Sequence, residues 1–213
     1  MTAMLIKNDT QYPVTAYITL GATDGCCQDV SDLLLSGGVQ MNMNYPLQGF
    51  FVVNSFTELS IAAPGDLGFN GNFSFNTPPL NFPCPEWPEG VNLAEFIINN
   101  GFQTGGMETV DISCVCGANA FLEIYLEASD WFSTPNTFVK HIKNGTRYDN
   151  TDRNGVYPYG CDDCTASVAP PSCVGLQPQY ANSEPICNVQ RDASSNEGGT
   201  VTVIFKGFTP VPA

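Results

Sequence analysis

The chain has 213 residues, 43% hydrophobic and 13% charged, which excludes disorder and suits one β-rich domain, or two small ones, with a sizeable core. Lys and Arg number 7 against 21 Asp and Glu, a net charge of −14, and residues 8 to 139 hold no Lys or Arg at all. Such a surface repels phosphate backbones and anionic membranes, and no stretch approaches the roughly 18 unbroken apolar residues of a membrane span, so neither nucleic acid nor membrane is an expected partner.

Strand patterns run the length of the chain, and the 20 Gly and 16 Pro favour turns over long helices. In PVTAYITL, Val14, Ala16, Ile18 and Leu20 share one face, while Thr15, Tyr17 and Thr19 share the other. DVSDLLL has the pattern of one short helix. GFFVVNSF and GNFSFN follow as strands bounded by Gly and Asn, the second carrying Phe73 and Phe75. Residues 76–90, with five prolines, form a loop.

VNLAEFIINN comes next, and it sets Glu95 among apolar neighbours. Leu93, Glu95 and Ile97 lie on one face, and Ala94, Phe96 and Ile98 on the other. With both faces mostly apolar the strand is largely buried, and a carboxylate there is costly unless satisfied. ETVDISCV places Asp111 opposite in facing to Val110, Ile112 and Cys114. In NAFLEIYL one face meets a core and the other water, as in an antiparallel sheet. Residues 157–197 hold four cysteines and few apolar runs and form a disulfide-stapled lobe, after which GTVTVIFKGF gives a final strand. The whole, residues 1–213, reads as a single all-β domain, an antiparallel β-sandwich or barrel with a cysteine-rich insertion over 157–197.

Nine cysteines and three glycosylation sequons, at Asn8, Asn72 and Asn144, point to an oxidising, secretory history. The odd cysteine count and the opening Met1-Thr-Ala-Met, which lacks the regions of a signal peptide, leave a cytosolic protein as the alternative. Cys161 and Cys164 have CxxC spacing without a second pair or a nearby His, so disulfide bonding and not metal is expected of them. Cys26 and Cys27 would be strained if joined to each other, which implies separate partners. His141, the single histidine, is expected at the surface. No cofactor motif is present.

The chemistry then falls to Glu95 and Asp111. If their strands are neighbours, two carboxylates project into one cleft, the apparatus of glycoside hydrolysis. A hydrogen-bonded buried acid beside an unrelated surface acid is the alternative.

Leu93 to Phe96 (LAEF) followed by Val110 to Ser113 (VDIS) resembles the thaumatin-like, pathogenesis-related group 5 proteins. At the start, Ile6, Asn8, Tyr12 and Val14 are similar to that family's opening, and TVIFKG resembles its close. The family's first and last cysteines, which bond to each other, fall on Thr10 and Lys206, so both partners of that bridge are absent together. The resemblance implies an antiparallel β-sandwich with a disulfide-rich lobe and an acidic cleft between them. It carries the family's cleft glutamate to Glu95 and its first cleft aspartate to Asp111. A second aspartate falls on Cys116, a further one on Asp162 or Asp163, and the family's cleft arginine has no counterpart. Without that cation one of two nearby carboxyls should hold a proton near neutral pH.

The function so implied is a secreted or vacuolar defence or stress-related glycoprotein that binds polysaccharide, above all β-1,3-glucan, or another neutral or cationic ligand. Glu95, Asp111, Asp162 and Asp163 would bind hydroxyls, and Phe73, Phe75, Tyr157 and Tyr159 would stack on sugar rings. A weak endo-β-1,3-glucanase with Glu95 as acid and Asp111 as its partner is the second reading, and an acidic storage or inhibitor protein the third.

Overall fold

Strands such as Val14–Leu20 and Leu93–Ile98 bury every second side chain, and the chain satisfies them by closing two sheets over one core. The computed structural model describes residues 2–21, 24–42, 45–76, 91–99, 106–113, 119–127, 130–133, 140–141, 144–149, 156–157, 189–192 and 198–208. Its strands are β1 (Ala3–Asn8), β2 (Val14–Leu20), β3 (Leu34–Leu35), β4 (Gln40–Asn42), β5 (Tyr45–Val53), β6 (Glu58–Ala62), β7 (Phe69–Phe75) and β8 (Leu93–Ile98). There follow β9 (Met107–Ser113), β10 (Ala120–Glu127), β11 (Phe132–Ser133), β12 (Lys140–His141), β13 (Thr146–Asp149), β14 (Val156–Tyr157), β15 (Val189–Asp192) and β16 (Thr200–Phe208).

The smaller sheet runs β13-β10-β16-β1-β6-β3, and the larger runs β12-β11-β15-β9-β8-β7-β2-β5-β4, with β14 also paired to β9. Among the described strands all pairings are antiparallel except β1 with β16 and β14 with β9. This is an all-β sandwich, as the alternation predicts. Met4, Ile6, Leu122, Ile124, Val203 and Phe205 of the small sheet meet Ala16, Ile18, Phe51, Phe73, Phe96 and Ile112 of the large one in a continuous core. Phe75 and Phe205 stack across the gap at 5.0 Å between ring centroids. Phe51, Phe73, Phe96 and Phe69 form a chain of ring contacts along the large sheet.

Close approach between β2 and β7 depends on Gly71. Its φ is +152°, and a Cβ there would lie 2.0 Å from the Thr19 carbonyl oxygen, so no other residue fits without parting the strands.

Three expectations change. DVSDLLL is not a helix beyond one 3-10 turn over Val30–Asp32, capped by Asp29 accepting from the Ser31 amide; Leu34 and Leu35 instead pair with β6. Too few residues separate Asp29 from that pairing for a helix to propagate. Cys26 and Cys27 are both buried free thiols, tied down by the backbone pairing of Cys26 with Gly68 and by a contact from Cys27 Sγ to the Asp29 carbonyl. Burial raises both thiol pKa values. The segment 157–197 contains a strand, β15, which its low apolar content hid; the rest of that lobe other than Tyr157, including Cys161, Cys164, Cys173 and Cys187, lies outside the described residues. Cys84, Cys114 and Cys116 lie outside them as well.

Candidate functional site

β7, β8 and β9 are neighbours, and their register sets the candidate site. Glu95 lies directly opposite Asp111 on one side and Asn72 on the other. All three point away from the core, because Ala94, Phe96, Val110, Ile112 and Phe73 claim the inner face. Asn72 in turn faces Thr19, and Thr19 faces Gln48, whose Nε2 donates to Thr19 Oγ1 at 3.2 Å. The result is a row of polar side chains, Gln48-Thr19-Asn72-Glu95-Asp111, one from each of five adjacent strands. At about 4.8 Å per strand it spans roughly 19 Å.

The two acids touch. Asp111 donates its proton to Glu95, which also accepts from the Ser113 hydroxyl. Desolvation is the main cause that raises both carboxyls above their ordinary range. For Asp111 the neighbouring Glu95 charge adds to it and pushes the carboxyl well above its ordinary range; for Glu95 the two donors offset part of the rise. Asp111 is the donor of the pair and the carboxyl whose pKa is pushed up further, so it is the one that keeps a proton longer as pH rises. Two acceptor oxygens in the row, Asp111 Oδ1 and Asn72 Oδ1, are buried without a hydrogen-bond partner. Such orphans call for a donor.

The described cations sit elsewhere. Lys7, Lys206 and Arg147 belong to a chain of ion pairs on the outer side of the small sheet, through Asp9 and Glu123, with the Arg147 guanidinium 4.1 Å above the Tyr125 ring. Arg191 is buried against Glu108, Asp130, the Thr2 hydroxyl, the Gly198 carbonyl and the Trp131 ring. Among the described residues no ion pair reaches Glu95 or Asp111.

Of the residues singled out from the sequence, Glu95 and Asp111 come together. Phe73 and Phe75 do not join them: both are fully buried on the inner face of β7 and unavailable for stacking on a sugar. The period-2 alternation of GNFSFN assigns them to the core, since Asn72 takes the opposite face. Tyr157 lies in β14, its backbone paired with Ser113. Tyr159, Asp162 and Asp163 lie outside the described residues. The structure adds a half-buried aromatic pair on the site's own face, Tyr17 and Phe50, with ring centroids 5.8 Å apart. Both directly neighbour Thr19 or Gln48 along the same strand faces. Alternation in PVTAYITL already marks Tyr17 as outward; only the strand order shows that it lies beside the acids' row.

Among the described residues no group of three or more His, Cys, Asp or Glu gathers to hold a metal ion. No helix among them is long and apolar enough to cross a membrane. No protein-family model matches the sequence, and comparison with curated proteins finds no match.

Proposed function

We propose that the protein is a thaumatin-like, defence or stress-related module, secreted or vacuolar, that binds a neutral polysaccharide such as β-1,3-glucan along the outward polar row. The observation that carries this reading is the row itself. Five side chains offering amide, hydroxyl and carboxyl groups lie side by side, flanked by Tyr17 and Phe50 and ending in an acid pair, with one buried, unpartnered acceptor on Asn72 and one on Asp111. Sugar hydroxyls are donors of the kind those acceptors lack, and half-buried aromatic rings suit the apolar faces of pyranoses.

Binding is favoured over hydrolysis. Retaining glycosidases hold their two carboxyls about 5–5.5 Å apart and inverting ones about 6.5–9.5 Å, leaving room for the scissile bond. Glu95 and Asp111 are hydrogen-bonded to each other, with Asp111 as the donor and as the carboxyl raised further above its ordinary range.

Affinity electrophoresis through soluble β-1,3-glucan tests the reading. Wild type should be retarded, and Tyr17→Ala and Asn72→Ala should each weaken binding by about tenfold, the cost of one lost contact of about 1.4 kcal/mol. Glu95→Gln should largely keep binding, and reducing-end release should be absent from wild type and variant alike. Unretarded wild type would sink the reading and favour a storage or inhibitor protein. Release by wild type that Glu95→Gln abolishes would restore the enzyme.

A further inference from the structure

Three Asn-x-Thr/Ser sequons occur in the sequence, and the fold treats their asparagines differently. Asn8 is fully buried. Its Nδ2 donates to the carbonyls of Tyr12 at 2.6 Å and Val53 at 3.0 Å, and its Oδ1 accepts from the amide and hydroxyl of Thr10. Both amide hydrogens are committed, so replacing one by a sugar would break the knot that closes the β1–β2 loop. Asn72 lies mid-sheet between Thr19 and Glu95 with its Oδ1 buried, and a glycan there would stand on the polar row. Asn144 is exposed, in a tight turn leading into β13. Gly145, with φ +85°, makes that turn and anchors it through its amide to the Leu126 carbonyl at 2.7 Å.

We infer that Asn144 is an N-glycosylation site and that Asn8 and Asn72 stay unmodified in the folded protein. The donor is a lipid-diphosphate-linked oligosaccharide. A bond forms between Asn144 Nδ2 and the anomeric carbon of its first sugar, and the bond from that carbon to the diphosphate breaks. Lipid diphosphate leaves, the amide gives up one proton, and no electrons are exchanged. The inference rests on the secretory part of the proposed function and is independent of glucan binding.

The full chain, fused to a cleavable signal peptide and expressed in a eukaryotic secretory host, gives the test, because the added signal secures transit whatever the native route. The soluble folded product is digested and its glycopeptides mapped by mass spectrometry before and after enzymatic removal of N-glycans. Glycan at Asn144 only, with the gel shift lost in Asn144→Gln, is the expected result. Glycan on Asn8 or Asn72 in the folded fraction, or a bare Asn144, would overturn the inference. Asn144→Gln alters an exposed turn residue, and its unfolding midpoint, compared with that of enzymatically deglycosylated wild type, confirms that loss of the shift is not loss of folding.

Discussion

Asp111 and Glu95 are poised to share a proton because their carboxyls face each other across β8 and β9, desolvated and with no cation among the described residues paired to either. The folded chain thus binds a proton that the unfolded chain releases above about pH 4. Stability from the pair is fully present below that value and is lost as pH rises through the pair's raised titration in the folded state. Asp9 acts in the opposite sense, since Lys206 and then Lys7 hold its carboxyl below the ordinary value, so its contribution is lost only on acidification below about pH 4. Asp111→Asn keeps a donor opposite Glu95 at every pH. Urea midpoints measured from about pH 4 to about pH 8 should fall for wild type and stay flatter for the variant, which gains about 1–2 kcal/mol over wild type at the alkaline end. An equal slope in both would show that the pair does not share a proton. The burial of Glu95 was legible from its apolar neighbours in LAEF. Asp111 was legible as its partner only on a condition, because the sequence marks Asp111 as outward but does not say which strands adjoin, and a shared proton depends on that adjacency. Phe73 and Phe75 show the opposite failure: their own alternation placed them inside, and a functional expectation overrode it.

Strands with clean alternation, β2, β9 and β10, were legible almost to their ends, because a period of two with one buried face admits one register of side chains. β15 was not. Its four residues, VQRD, include only one aliphatic side chain, and beside its backbone ladder to β9 it is tied there by an ion pair in the interior. Arg191 bonds Glu108 through Nε at 3.0 Å and Nη2 at 2.8 Å, with both side chains only 2% exposed. Such a pair gives no hydrophobic pattern to read. Removing one partner strands the other's charge in the core, so Arg191→Met should cost about 3–5 kcal/mol in urea unfolding. Adding Glu108→Leu should restore much of that loss; a double variant as unstable as the single one would mean that Arg191 acts through Asp130, Thr2 and Gly198 instead.

At the scale of the molecule, charge and connectivity dominate. A net charge of −14 was legible outright, but its arrangement was not: the cations of the small sheet are consumed in local pairs, while the outward face of the large sheet carries the acid pair. Exposed pairs are worth about 0–1 kcal/mol each, so salt should help more by screening self-repulsion than it harms by weakening them. Raising salt from about 10 to about 150 mM shortens the screening length from roughly 30 to roughly 8 Å. The melting temperature should rise by about 2–4 °C, equivalent to about 1 kcal/mol for a chain of this size, and a fall would show that the pairs outweigh the net charge. The parallel pairing of β1 with β16 has a consequence for how the molecule is made. Ala3 pairs with Thr200, and β16 lies in the middle of its sheet, between β10 and β1. During synthesis β1 and β10 therefore emerge long before the strand that joins them, and both wait with open edges until residues 200–208 arrive. Contacts so distant in sequence make for slow folding. Losing those nine residues would not fray one end of the protein; it would leave the small sheet as two halves with nothing between them.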